Sequence, residues 1–273
     1  MSLIGIHISD FSDINKSINS DITLFQSQVS ATKEYINNKK YKKTFKTVVK
    51  RNIKLVVHAS YSINLSRNWK ITDWWIQQLI TEINIAEEIG AFAVVIHTGK
   101  QLKLSENVSI NNMYTSFLHI HKLTNNNIKI LIETPSGQGT ETLIELKSLC
   151  RFMNKFYNHP NKEVNVRFGL CIDTCHIYAS GIDITKKTIL KNYFNTINKC
   201  IGIDKIKLCH INDSKGILGS KLDRHNNIGD GKIGHKPLID VVKFMNRLKI
   251  PIILETPYNK IHNDYKYLIK HIN

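Results

Sequence analysis

Arginine, acidic residues, paired cysteines and long apolar runs are all scarce in this chain. Of its 273 residues only 6 are arginine, against 32 lysines. No apolar stretch approaches the roughly 18–20 residues that a membrane-crossing helix needs, which excludes a helical integral-membrane function. The segment Met1 to His7 has neither a basic leader nor a long apolar core, so it reads as a first strand rather than a signal peptide. Five cysteines make an odd set without a framework of pairs. That composition points to a reducing compartment, cytoplasm, nucleus or virion, rather than to a disulfide scaffold. Cys171 and Cys175 bracket a ligand-like segment with no second cysteine pair, and are read as core or pocket-wall residues. Acidic side chains number 22 against 38 basic ones, a formal net charge of +16. A surface this basic favours a polyanion, and nucleic acid is the usual one. The same excess follows from an A/T-rich coding bias, visible here as abundant Lys, Asn and Ile, so charge supports nucleic-acid binding without deciding it.

What is present is a repeated pattern. Hydrophobic residues make up 42% of the chain, enough for a sizeable core. Six short apolar runs each end in a residue able to bind a metal: His58, His97, Glu133, Asp173, His210 and Glu255. The gaps between them are 39, 36, 40, 37 and 45 residues, about one strand-plus-helix unit each. Candidate strands begin near residues 3, 21, 53, 92, 128, 168, 205 and 251, and helices are expected at 72–90, 107–125, 140–156, 185–200 and 236–248. Eight strands alternating with helices predict an α/β fold, a single (β/α)8 TIM barrel spanning 1–273 as one domain. Such a barrel gathers the C-terminal ends of its strands on one face, where its chemistry is kept. In the helix at 72–90, Trp74, Trp75, Ile76, Leu79, Ile80, Ile83 and Ile85 supply an apolar stripe, Thr72 or Asp73 an N-cap, and Gly90 the stop. The basic run from Lys33 to Lys54, interleaved with Tyr35, Tyr41 and Phe45, is either a solvated face or a phosphate-contacting rim.

Glu133 and Glu255 share the context Glu-Thr-Pro. Pro135 and Pro257 end ladder donation, so each carboxylate sits where its strand stops. A carboxylate buried there needs a cationic partner, and the neighbouring histidines favour a metal over a salt bridge. Three further residues join the six: His176, three after Asp173, and the pair Asp223 and His225 in the loop after the seventh strand. Five imidazoles and four carboxylates suit Zn²⁺ or Mn²⁺, and nine side chains are too many for one ion. Two or three metals are expected. His7 ends the first strand and is placed behind the ligands rather than on a metal. His119, His121, His159, His235, His262 and His271 lie away from the strand ends and receive no functional assignment.

These residues lie in stretches that resemble the endonuclease IV family, zinc-dependent apurinic/apyrimidinic endonucleases of base-excision DNA repair. The matching stretches are His58-Ala59-Ser60-Tyr61, His97-Thr98-Gly99, Glu133-Thr134-Pro135-Ser136-Gly137-Gln138-Gly139-Thr140, Cys171-Ile172-Asp173-Thr174-Cys175-His176, His210-Ile211-Asn212-Asp213-Ser214-Lys215, Asp223-Arg224-His225 and Leu254-Glu255-Thr256-Pro257. They keep the family's order across nearly the whole chain. The resemblance implies three zinc ions: one on His58, His97 and Glu133; a second sharing Glu133 and adding Asp173, His210 and Glu255; a third on His176, Asp223 and His225. It implies hydrolysis of the phosphodiester 5′ to an abasic site in damaged double-stranded DNA, with trimming of blocked 3′ ends as a companion activity. Glu133 and Glu255 are the candidates to orient or deprotonate the attacking water. A monomer with no required protein partner and no membrane partner is expected.

The DNA-reading parts depart from the family. It wedges the duplex with an Arg after strand two and a Tyr-Leu pair after strand three. Here Tyr61 fits the tyrosine, but Ser62 follows it, and the arginine position falls near Val29 or Ser30. Tyr61 and Gln28 are therefore the candidates for lesion contact, and Gln138 for a loop along the sugar-phosphate backbone. Two rivals remain at this stage: a metal-dependent sugar-phosphate isomerase or epimerase on a related barrel, and a non-catalytic DNA-binding barrel.

Overall fold

A computed structural model describes residues 3–15, 21–29, 39–125 and 127–272. Eight parallel strands close into a barrel in the order β1 (Ile4–His7), β2 (Leu24–Ser27), β3 (Lys54–His58), β4 (Ala93–Ile96), β5 (Lys129–Glu133), β6 (Phe168–Asp173), β7 (Ile206–Ile211) and β10 (Ile252–Leu254), the last pairing with β1. The helices between them are α1 (Lys39–Lys50), α2 (Trp74–Glu88), α3 (Glu106–Leu123), α4 (Leu146–Tyr157), α5 (Lys162–Arg167), α6 (Thr174–Ala179), α7 (Lys187–Ile201), α8 (His235–Arg247) and α9 (Ile261–Ile272). A two-residue antiparallel pair, β8 (Asp213–Ser214) with β9 (His225–Asn226), sits in the connection after β7. The expected TIM barrel is the observed one. Among the described residues no helix is long and apolar enough to cross a membrane.

The strands read as continuous apolar runs because both of their faces are covered. Alternate residues face opposite sides of a strand. One set, including Leu55, Val57, Val94, Ile130, Leu170 and Leu254, belongs to the large core beneath the helices. The other set, Leu24, Val56, Ala93, Val95, Leu131, Cys171, Leu208 and Ile253, fills the barrel interior as a separate apolar cluster.

Several local expectations need correction. The helix expected at 140–156 begins at Leu146. Residues 140–145 are held as a loop instead: Thr142 donates to the Gly99 carbonyl at 3.0 Å, the Glu141 carboxylate receives backbone N–H groups, and Leu143 takes φ 62°. The second strand starts at Leu24 rather than near residue 21. Trp75 is buried under the Arg67 guanidinium, 4.2 Å from its ring centroid, but Trp74 at the helix start is exposed and not part of the buried stripe. Asp73 occupies the N-cap position of α2, yet its carboxylate accepts from Lys70 N and makes no capping bond. Of the basic run, Lys39–Lys50 form α1, where Lys46 and Lys50 are exposed, and Lys54 opens β3; Lys33, Tyr35 and Ser30 lie outside the described residues.

Candidate metal centre

Strand alternation aims the predicted ligands inward. His58, His97, Glu133, Asp173, His210 and Glu255 each lie two residues beyond an interior apolar residue, respectively Val56, Val95, Leu131, Cys171, Leu208 and Ile253. A period of two therefore carries each of them onto the barrel axis, just above the apolar plug. Register sets Asp173 opposite His210 across β6 and β7, and Glu133 opposite Cys171, two residues before Asp173, across β5 and β6. His176 comes from the first turn of α6, whose N-cap is Asp173, its side chain accepting His176 N at 2.8 Å. Asp223 and His225 arrive from the β8–β9 connection.

All nine fall into three groups, the first two sharing Glu133. In His58–His97–Glu133, in Glu133–Asp173–His210–Glu255 and in His176–Asp223–His225, one ligand atom per residue lies within 4.8 Å of the others. His58 Nε2 and His97 Nε2 stand 3.4 and 3.1 Å from Glu133 Oε2. His176 Nε2 and His225 Nε2 stand 3.1 and 3.2 Å from Asp223 Oδ1. Ligands at about 2.0–2.1 Å on a tetrahedral ion are separated by roughly 3.3–3.4 Å, so these spacings fit the edges of such a site. The buried atoms His58 Nε2, Glu133 Oε2, His176 Nε2 and His225 Nε2 have no hydrogen-bond partner. Buried polar atoms are otherwise nearly always paired. Their opposite nitrogens are engaged: His58 Nδ1 with Ala59 O at 2.8 Å, His176 Nδ1 with Thr134 O at 2.9 Å, and His225 Nδ1 with Glu255 O at 3.1 Å. Each ring thus donates outward to a carbonyl and turns a lone pair inward, the orientation found behind metal-binding histidines. The residues present fit cations.

Electrostatics agree. Burial pushes the Glu133 and Glu255 carboxyls up, but the adjacent imidazoles outweigh it and hold both well below the usual range. Burial likewise opposes charge on His176 and His225, yet Asp173 and Asp223 win, raising His176 well above its ordinary value and His225 to about 9. The pocket is an anionic trap in which protons and metal ions compete. Burial pushes the Cys171 and Cys175 thiols up to about 12, so both keep their protons and the oxygens and ring nitrogens form the better ligand set.

Sequence reasoning passed over the amides that brace this set. Gln26, inward-facing on β2, accepts from His210 Nε2 at 2.9 Å and donates to Glu255 Oε1 at 2.5 Å. That hydrogen bond fixes the His210 proton on Nε2 and turns Nδ1 toward two carboxylates, 2.8 Å from Glu133 Oε1 and 3.1 Å from Glu255 Oε2, where a cation could be shared. Asn212 donates to Asp173 Oδ2 at 2.7 Å and accepts from Glu255 N at 2.9 Å. His7, placed behind the ligands, lies 3.4 Å from Glu255 Oε1.

A cleft of about 640 Å³ opens above the centre, lined by Tyr61, Arg67, Lys100, Leu102, Gln138, Arg224 and the ligands His97, His176, Asp223, His225 and Glu255, among others. Tyr61 is exposed and rests on His58 and His97, with ring centroids 4.9 and 5.2 Å away. Gln138 is held at the rim because Glu141 Oε2 accepts from its backbone N at 3.0 Å and from Gly137 N at 2.8 Å. Gln28 follows the end of β2, half-buried, and is not part of the cleft wall. Val29, at the expected arginine position, is buried.

The profile of the xylose isomerase-like TIM barrel family matches residues 25–273. A protein of Acanthamoeba polyphaga mimivirus, provisionally named endonuclease 4, is 36% identical over 224 residues, covering 80% of this chain and 70% of its own. Endonuclease IV from Thermus thermophilus superposes with a TM-score of 0.77 over 98% of both chains at 20% identity. A D-tagatose 3-epimerase-like protein superposes at a TM-score of 0.73 over 98% of this chain and 96% of its own, at 18% identity. Shape alone therefore does not separate nuclease from epimerase, whereas sequence does: the chain belongs to the endonuclease IV family of xylose isomerase-like TIM barrels.

Proposed function

We propose that this chain is a DNA-repair apurinic/apyrimidinic endonuclease, acting as a single-domain monomer that binds damaged duplex DNA across the C-terminal face of its barrel. It hydrolyses the phosphodiester 5′ to an abasic site, leaving a 3′-hydroxyl and a 5′-deoxyribose phosphate, and trims blocked 3′ ends in the same pocket. One observation carries the reading: four buried ligand atoms without hydrogen-bond partners belong to ligand groups whose members His97, His176, Asp223 and His225 line a single cleft. A +16 chain whose cleft wall holds Arg67, Lys100 and Arg224 suits a phosphate backbone, where a neutral sugar would need no such charge.

Three zinc ions are the expected occupants, with manganese an alternative at one position. His58, His97 and Glu133 would hold the first, Glu133, Asp173, His210 and Glu255 the second, and His176, Asp223 and His225 the third. When bound, such ions offset the charge that develops on phosphate and ease the deprotonation of water. The chain's own residues do the rest. Glu133 and Glu255 orient the attacking water and accept its proton. Gln26 and Asn212 keep the Glu255 and Asp173 carboxylates aimed into the cleft. Tyr61 covers the His58–His97 edge, and Gln138 lies along the sugar-phosphate backbone. Gln28 remains a candidate lesion contact from outside the cleft wall.

The test is incision of a labelled duplex carrying one stable abasic analogue, beside an intact duplex and a sample stripped of metal and restored with Zn²⁺. Cleavage on the 5′ side of the lesion, lost on stripping and regained with zinc, is expected. Metal-replete protein that leaves the lesion duplex intact would sink the reading and turn attention to sugar phosphates.

A further inference from the structure

Thirteen large apolar side chains are exposed among the described residues, and of these only Tyr61 and Leu102 line the cleft. Tyr61 lies against the histidines of the centre. Leu102 stands apart on the connection between β4 and α3, 54% exposed, with φ 56°. A leucine in the left-handed region is strained, because its Cβ crowds the backbone there; glycine or asparagine would relieve that strain. An exposed leucine in water is also a poor use of apolar surface. Both liabilities persist because the backbone around it is fixed.

The hydrogen bonds that fix it are specific. Leu104 N donates to Gln101 O at 2.9 Å, closing a tight turn with Leu102 at its second position. Leu102 N donates to Thr140 Oγ1 at 3.1 Å, and Gln101 N to Thr140 O at 2.9 Å. On the other side Asn64 clasps Lys100, accepting from its N at 3.0 Å and donating to its O at 2.9 Å. The turn is thus tied to two neighbouring loops and presents the exposed Leu102 beside Arg67 and Lys103.

A duplex that has lost a base contains a gap between two uncovered base faces. An apolar side chain can fill that gap at little cost, since nothing must be unstacked to admit it. Cationic neighbours suit the flanking phosphates. We infer that Leu102 is the side chain that enters the base stack at the lesion, which makes it a specificity determinant for abasic over intact duplex. This inference rests on the endonuclease reading above and adds to it a residue outside the metal ligands.

The test compares wild type with Leu102→Asn, which keeps a residue tolerant of positive φ but removes the apolar group, and with Leu102→Met, which keeps an apolar group of similar size. The substrate is an abasic-analogue duplex with 2-aminopurine beside the lesion, read by fluorescence on binding and by incision. The expected result for Leu102→Asn is a melting temperature no lower than wild type. Its KM for the lesion duplex should rise about tenfold or more, with a smaller change in kcat. The fluorescence change on binding should be lost with it, and Leu102→Met should restore both. A Leu102→Asn protein with wild-type KM and fluorescence change overturns the assignment while leaving the endonuclease reading intact. Wild type that neither binds nor incises the lesion duplex overturns both.

Discussion

Replacing Asp213 by Asn should damage the third ligand group from a distance. Asp213 lies three residues beyond His210, in β8, and its buried carboxylate accepts five backbone N–H groups. Oδ1 takes Ser214 N and Ile233 N, both at 2.8 Å, and Oδ2 takes Gly229 N at 2.9 Å and Gly231 N and Gly234 N at 3.1 Å. The segment 229–234 is folded around one anion, and it follows closely on the β9 residue His225. An amide offers one acceptor where the carboxylate offers two, so at least two N–H groups would face an NH₂ donor. At about 1–3 kcal/mol for each of two buried groups left unsatisfied, the expected loss is about 2–6 kcal/mol. That is a large share of the roughly 5–15 kcal/mol by which domains are stable. At about 2–4 °C per kcal/mol for a chain near this size, metal-free protein should melt about 4–24 °C lower. Metal content, measured by elemental analysis after gel filtration, should fall at the His176–Asp223–His225 group while the other two groups keep their ions. Gly231→Ala should behave alike, because its Cβ would sit 2.4 Å from Asp213 Oδ1. If Asp213→Asn melts within about 2 °C of wild type with full metal content, the carboxylate is not what holds this loop.

Gln26→Leu removes the bond that sets the His210 proton, and should weaken metal binding about 10–100-fold, as measured by competition with a chromogenic chelator. Equal affinity would mean that His210 keeps its orientation without Gln26. Stability of metal-free protein should depend on pH from both sides. The raised His225 stabilises fully below its unfolded value of 6.5 and loses that contribution as pH rises through about 9. The depressed Glu255 stabilises above its unfolded value of 4.5 and loses its contribution as pH falls through its lower folded value. Urea unfolding of stripped protein should therefore be hardest between those two unfolded values, and a maximum at alkaline pH would contradict the assignment.

Much of the barrel was legible because parallel strands buried on both faces read as unbroken apolar runs, and six of those runs end in a ligand type. The ligands were legible for the same reason: two residues past an inward Val or Leu is again inward. The helix at 140–156 was overextended because Leu143, Ile144 and Leu146 continue an apolar pattern, while the bonds that hold residues 140–145 as a loop come from Gly99 and from Glu141 turning back on Gly137. Gln26 carried no signal, since a neutral amide in an apolar strand looks the same whether it braces a ligand or fills a gap; Asn212 lay within a family-matching stretch that did not show which side chains it braces. Trp74 misled because a stripe drawn on a helix does not show where the neighbouring element ends. The short helices α5 and α6 have too few turns to display a period.

None of the nine ligand side chains comes from β1 or β2. Ions in the three groups would lash together the six staves from β3 to β10, leaving the other two outside the lashing. Among the described residues the β1–β2 seam is registered at two residue pairs, Ile6 with Phe25 and His7 with Gln26, against four between β2 and β3. Its ties to the centre run from Gln26 to His210 and Glu255 and from His7 to Glu255. The barrel is in this sense a hoop with a clasp: stiff around most of its circumference, compliant at one joint. Breathing of the molecule should concentrate at that joint, beneath the edge of the pocket that Glu255 guards.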